Sequence, residues 1–75
     1  MTAIRDQYTA QNGHTYTYTG FLVMHGETAT IQNLRVVDEN GRPANIKLAD
    51  IAHAVEGSPE QKAHLSIHQG LDHLT

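Results

Sequence analysis

Apolar and polar positions alternate through the first two-thirds of the chain. Tyr8-Thr9-Ala10, His14-Thr15-Tyr16-Thr17-Tyr18 and Leu34-Arg35-Val36-Val37 are built from Thr, Tyr, Val and similar residues, the types that suit a pleated, half-buried surface. Two Asn-Gly pairs, Asn12-Gly13 and Asn40-Gly41, stand between such runs, and this is the strongest short-range hairpin signal. Face matching then sets the loop lengths. A two-residue turn at Asn40-Gly41 opposes Arg35 to Ile46 and mixes the faces, which a half-buried sheet resists. A three-residue Glu39-Asn40-Gly41 loop instead opposes Leu34 to Ile46 and Val36 to Ala44, and brings Asp38 to Arg42. By the same argument a three-residue Gln11-Asn12-Gly13 loop opposes Tyr8 to Tyr16, with Ile4 and Tyr18 on the same face. In each loop the glycine supplies the positive φ.

Thr15 to Met24 and Thr28 to Val37 read as two long strands joined at His25-Gly26-Glu27. Gly20 interrupts the first, as a glycine at a bulge or bend does. The run Phe21-Leu22-Val23-Met24 breaks the alternation and predicts burial on both faces, inside a curled sheet or beneath a second subunit. Ile51, His53 and Val55 alternate as a short fifth strand, although Leu48, Ile51, Ala52 and Val55 also share one helical face. Ser58, Pro59 and Gln61 then spell the start of a helix: an N-cap, a proline in the first turn and a capping-box partner. Gly70 is expected to end it, with Leu71 folding back; Ala63, Ile67, Leu71 and Leu74 share a stripe only if the helix runs on.

These elements make a single mainly β (α+β) domain over residues 1–75. Its expected architecture is an antiparallel meander of four or five strands, about residues 4–56, curled into a small barrel or half-barrel. One C-terminal α-helix follows, about residues 59–69.

Composition narrows the function. The chain has 75 residues, no cysteine and a formal net charge of −3 with its six histidines neutral. Disulfide staples, cysteine-ligated metal and thiol catalysis are therefore excluded. Nucleic-acid affinity rests on clustered Lys and Arg, whereas Arg5, Arg35, Arg42, Lys47 and Lys62 are dispersed along the chain. The N-terminus has no apolar signal region, and a membrane span needs about 20 apolar residues. The chain reads as soluble and cytoplasmic.

The histidines are the one compositional excess. Glu60, His64, His68 and Asp72 follow one another at steps of four along the predicted helix. Two imidazoles at that spacing can share a zinc, nickel or copper ion, and His64 with His68 is the natural pair, completed by His53, His25 or Asp72. The plainer reading is a set of helical i,i+4 polar pairs. The residues between the two histidines include no glutamate, so the metalloprotease pattern is absent. Ser58 is used as a cap and Ser66 has no evident base; no glycine pattern suits a phosphate. Catalysis is not expected, short of a site formed between subunits.

The leading expectation is a small non-catalytic module that binds itself or another protein. Its candidate interface residues are Tyr16, Tyr18, Phe21, Leu22, Val23 and Met24. A histidine-based metal-binding protein is the alternative, and an RNA-binding small β-barrel a weaker one.

Overall fold

The computed structural model describes residues 1–26, 28–48 and 58–74. In chain order it contains strand β1 (Thr2–Thr9), strand β2 (Thr15–His25), strand β3 (Thr28–Val37) and helix α1 (Pro59–Asp72). The strands form one antiparallel sheet with β2 in the middle.

The first hairpin closes in the expected register. Tyr8 pairs with Tyr16, and the Ala10 N–H donates to the His14 carbonyl at 2.9 Å. Gly13 takes the left-handed conformation, φ 88°. The three-residue loop is the physical consequence of keeping Ile4, Tyr16 and Tyr18 on one side, and all three are buried there.

The second hairpin begins as expected and then stops. Asp38 and Arg42 meet at the loop mouth, with the Asp38 N–H donating to the Arg42 carbonyl at 2.9 Å. The Asp38 carboxylate also accepts from the N–H groups of Asn40 and Arg42, and Gly41 supplies φ 78°. Ala44 donates to the Val36 carbonyl, and Val37 bridges to Pro43. There the pairing ends. The expected meander of four or five strands is therefore corrected to three strands among the described residues, and the sheet is not closed into a barrel. Pro43 has no N–H to offer a further neighbour. Beyond it Ile46 and Leu48 are half-buried against the core. The chain there crosses the helix, where the Ile46 side chain and the Lys47 carbonyl approach Gly70. Apolar burial is satisfied by the helix instead of a fourth strand. The expected strand at residues 51–55 lies outside the described residues.

Gly20 does mark an irregularity, but the extra residue belongs to the neighbouring strand. Thr19 pairs with Arg35 while Phe21 pairs with Gln32, so Asn33 and Leu34 together face Gly20. Asn33 takes the left-handed conformation at φ 54°, a region asparagine tolerates better than most residues. A Cβ on Gly20 would stand 3.1 Å from the Ile31 Cγ2 and 3.4 Å from the Gln32 carbonyl.

The helix starts as expected: the Ser58 hydroxyl accepts the Gln61 N–H, and Pro59 opens the first turn. It does not end at Gly70. It continues to Asp72, three residues past the expected boundary at 69. Continuation completes the stripe Ala63, Ile67 and Leu71, all fully buried against the sheet. Gly70 is a packing residue, because an added Cβ would meet the Lys47 carbonyl at 3.2 Å. Burying Ile67 and Leu71 stabilises the fold by about 1.5–3 kcal/mol each. That is more than the roughly 1 kcal/mol a glycine costs a helix.

Candidate functional site

Three of the four ladder residues follow a residue of the buried stripe: His64 after Ala63, His68 after Ile67, Asp72 after Leu71. A step of one residue turns about 100° around a helix, so the ladder lies on the rim of the helix–sheet contact. Tyr18, fully buried on the central strand, reaches this rim with its hydroxyl. The hydroxyl oxygen lies 2.5 Å from His64 Nδ1 and 3.1 Å from His68 Nε2. From β1, the Tyr8 ring stacks on His68 with centroids 4.0 Å apart and planes 7° from parallel. The Tyr8 hydroxyl donates to Asp72 Oδ2 at 2.8 Å, and the Gln11 N–H donates to Asp72 Oδ1 at 3.1 Å.

The proton inventory has a consistent solution. A neutral imidazole carries one N–H, and the Glu60 carboxylate lies 3.9 Å from His64 Nε2. Placing the His64 proton at Nε2 leaves its Nδ1 bare, to accept the Tyr18 hydroxyl. The Tyr18 oxygen then accepts from His68 Nε2–H. Two charged imidazoles would aim two donors at this oxygen and leave its own hydrogen without an acceptor.

Burial holds the His68 pKa below its usual value, the neighbouring His64 adds to the depression, and Asp6 and Asp72 oppose it. Burial also pushes the Tyr18 hydroxyl up to about 12, with Asp6 contributing. The depressed His68 imidazole and the raised Tyr18 hydroxyl are both mainly neutral at pH 7. Because the folded His68 pKa is depressed, the unfolded chain binds more protons between that value and about 6.5. Stability is complete above this window and falls as the pH drops through it. Urea midpoints measured from pH 8 to pH 5 should decline in this window, and His68→Gln should flatten the decline; an unchanged slope in that variant would assign the effect elsewhere. Asp38 and Glu39, whose carboxyls are lowered by backbone N–H donors, lose their contribution only at more acidic pH.

The same geometry bears on the metal reading. An ion shared by His64 Nδ1 and His68 Nε2 would have to stand where the Tyr18 oxygen stands. Of the proposed completing ligands, Asp72 is held by Tyr8 and Gln11, His25 contacts Thr30 Oγ1 at 3.2 Å on the far hairpin, and His53 lies outside the described residues. Among the described residues no three His, Asp or Glu side chains gather as a cation site.

The six interface candidates divide. Tyr16, Tyr18 and Leu22 are buried in the core, Val23 is half-buried, and Phe21 and Met24 remain 39% and 48% exposed. Alternation explains the division, since Tyr16, Tyr18 and Leu22 share the helix-facing side while Phe21 and Val23 stand on the opposite one. On that outer face the sheet registers Ala3, Phe21 and Gln32 in one row and Arg5, Thr19 and Arg35 in the next. Sequence reasoning missed both arginines here, and it missed the coupling of Tyr18 and Tyr8 to the ladder. Its available signal was that His64, His68 and Asp72 each adjoin a residue of the apolar stripe.

A depression of about 380 Å³ lies between the 46–48 segment and the end of α1, lined by Ile46, Lys47, Gly70, His73 and Leu74. Comparison with known protein families, curated proteins and solved structures finds no match to this chain.

Proposed function

We propose that the chain is a small non-catalytic interaction module that docks on a protein through the outer face of its sheet. The observation that carries this reading is Phe21: a phenyl ring 39% exposed on the central strand of a sheet whose helix packs on the other side. Singly exposed apolar residues are ordinary, but Phe21 is flanked by Ala3 in its row, with Val23 next along the strand. An aromatic residue near the centre of an exposed face is the usual form of a binding anchor. The histidine pair supports the non-catalytic half, because one nitrogen of each ring already serves the buried Tyr18 hydroxyl. Among the described residues, the depression near His73 offers one imidazole and one amine, with no carboxylate to orient or activate either.

A photo-crosslinking amino acid at position 21 tests the reading in the cell that makes the protein. The expected result is a discrete protein adduct from position 21 and none from position 65, an exposed leucine on the helix. Equal labelling from both positions, or none from 21, would remove the outer face as the docking surface. Light scattering of the purified chain separates a second copy from a different protein.

A further inference from the structure

We infer that the occupant of the outer face is an acidic, apolar-centred protein segment and not a second copy of this chain. This rests on the docking reading above and names its partner chemistry. Arg5 and Arg35 both pair with Thr19 in the register, one from each side. They therefore flank the central strand in one row, about 10 Å apart at two strand spacings. Both are exposed, and neither forms an ion pair with a described residue. The row beside them holds Phe21 between Ala3 and Gln32. The remaining positions of this face are mainly threonines, Thr15 and Thr17 on β2 and Thr28 and Thr30 on β3.

The described carboxylates lie away from the two arginines, the nearest approach to this face being Glu39, which accepts from the Thr15 N–H at the opposite end of β2 from Phe21. Glu60 and Asp72 are on the helix, Asp38 and Glu39 at the second hairpin loop, and Asp6 pairs with Tyr18 on the helix-facing side. A chain with a net charge of −3 thus presents a face whose described charged side chains are two guanidiniums beside a phenyl ring. Arg and aromatic anchors are the residues enriched where binding energy concentrates. Opposite charge on the partner steers the encounter.

Charge also selects among occupants. Two copies stacked through this face would bring arginines toward arginines and supply no described carboxylate from either side. A nucleic-acid strand would meet only two cations on a net-negative molecule, and its affinity grows with the number of phosphates neutralised. A segment with carboxylates flanking a large apolar side chain satisfies the guanidiniums and the phenyl ring together.

The test titrates the isotopically labelled full chain with three probes while amide shifts are followed by NMR. The probes are a ten-residue peptide alternating glutamate and leucine, the same peptide with lysine for glutamate, and a ten-nucleotide uridylate. The glutamate peptide is expected to shift amides around Ala3, Arg5, Thr19, Phe21 and Arg35, with binding that weakens as salt rises. Arg5→Glu with Arg35→Glu should lower its affinity by about tenfold or more. The inference is overturned if the lysine peptide binds as well, if the uridylate binds more tightly, if the shifts map to the helix, or if no probe shifts the outer face. Should position 21 still crosslink to a protein after such a result, the docking reading stands and only the acidic partner is lost. Dimerisation through the outer face, seen as loss of those amide signals with rising concentration, would equally defeat the inference.

Discussion

Tyr18→Ala should leave little folded protein at room temperature, while Tyr18→Phe should fold with a stability lower by about 1–2 kcal/mol. The two variants separate the ring from the hydroxyl. The ring is fully buried on the central strand, between Ile4, Val36 and the helical stripe that forms the core. Removing a buried aromatic ring costs about 3–5 kcal/mol, since the surroundings collapse only partly into the space. A domain of this length has roughly 4–11 kcal/mol in total, at about 0.05–0.15 kcal/mol per residue. The alanine variant therefore loses much or all of its margin. The hydroxyl acts differently. Without it His64 Nδ1 and His68 Nε2 face a phenyl edge, and each imidazole has to find water at the rim. Urea unfolding followed by circular dichroism measures both losses. If the phenylalanine variant lost as much as the alanine variant, the hydroxyl contacts and not ring packing would hold the helix to the sheet. A loss under about 1 kcal/mol for the alanine variant would deny that Tyr18 is a core residue at all.

What could be read from the chain were the elements whose causes are local. The Asn-Gly loops and the Ser58 cap depend on residues within four positions of one another, and both appear as expected. The Tyr8–Tyr16 register followed from matching faces, which is also local once the loop length is set. The misread positions are those where a distant segment decides. Gly70 carries the usual signal of a helix end, yet Ile46 and Lys47, more than twenty residues earlier, pass so close that the position has to be small. Ile46 and Leu48 carry strand alternation, yet the helix offers them burial without another rung of pairing. Gly20 pointed to a bulge correctly but not to the strand that carries the extra residue, because that depends on how β3 registers against β2.

The candidate site followed the same division. The i,i+4 spacing of Glu60, His64, His68 and Asp72 was legible; of the polar pairs it suggested, Glu60 lies 3.9 Å from His64, while Asp72 is held by Tyr8 and Gln11. That His64 and His68 meet a tyrosine hydroxyl required the sheet to be in place. The arginines of the outer face are thirty residues apart in the chain, and dispersion in sequence hid their alignment. A two-sided burial of Phe21 to Met24 was expected; instead Leu22 alone of the four is buried, because among the described residues the helix covers one side of the sheet.

Gly20→Val is expected to cost about 1–3 kcal/mol, although valine is ordinarily the better strand former. Propensity favours the substitution, and so would removal of glycine's backbone freedom from the unfolded chain. Space opposes it. A Cβ at this position already lies 3.1 Å from the Ile31 Cγ2 methyl, 3.4 Å from the Gln32 carbonyl and 3.5 Å from the Leu34 Cα. The last two are backbone atoms beside the left-handed Asn33, at ordinary contact distance from a Cβ, so they leave little space for anything beyond it. Valine adds two further methyls to a site where the first carbon already crowds the Ile31 methyl. Gly20→Ala should cost less, and combining it with Ile31→Ala should recover part of the loss, because one of the three close contacts is then gone. The double-mutant cycle in urea reads this coupling directly. A stabilised Gly20→Val variant would mean that the bulge relaxes freely and that the glycine is not required by the neighbouring strand. A destabilised variant with no coupling to Ile31 would place the constraint wholly on the backbone of Gln32 and Leu34.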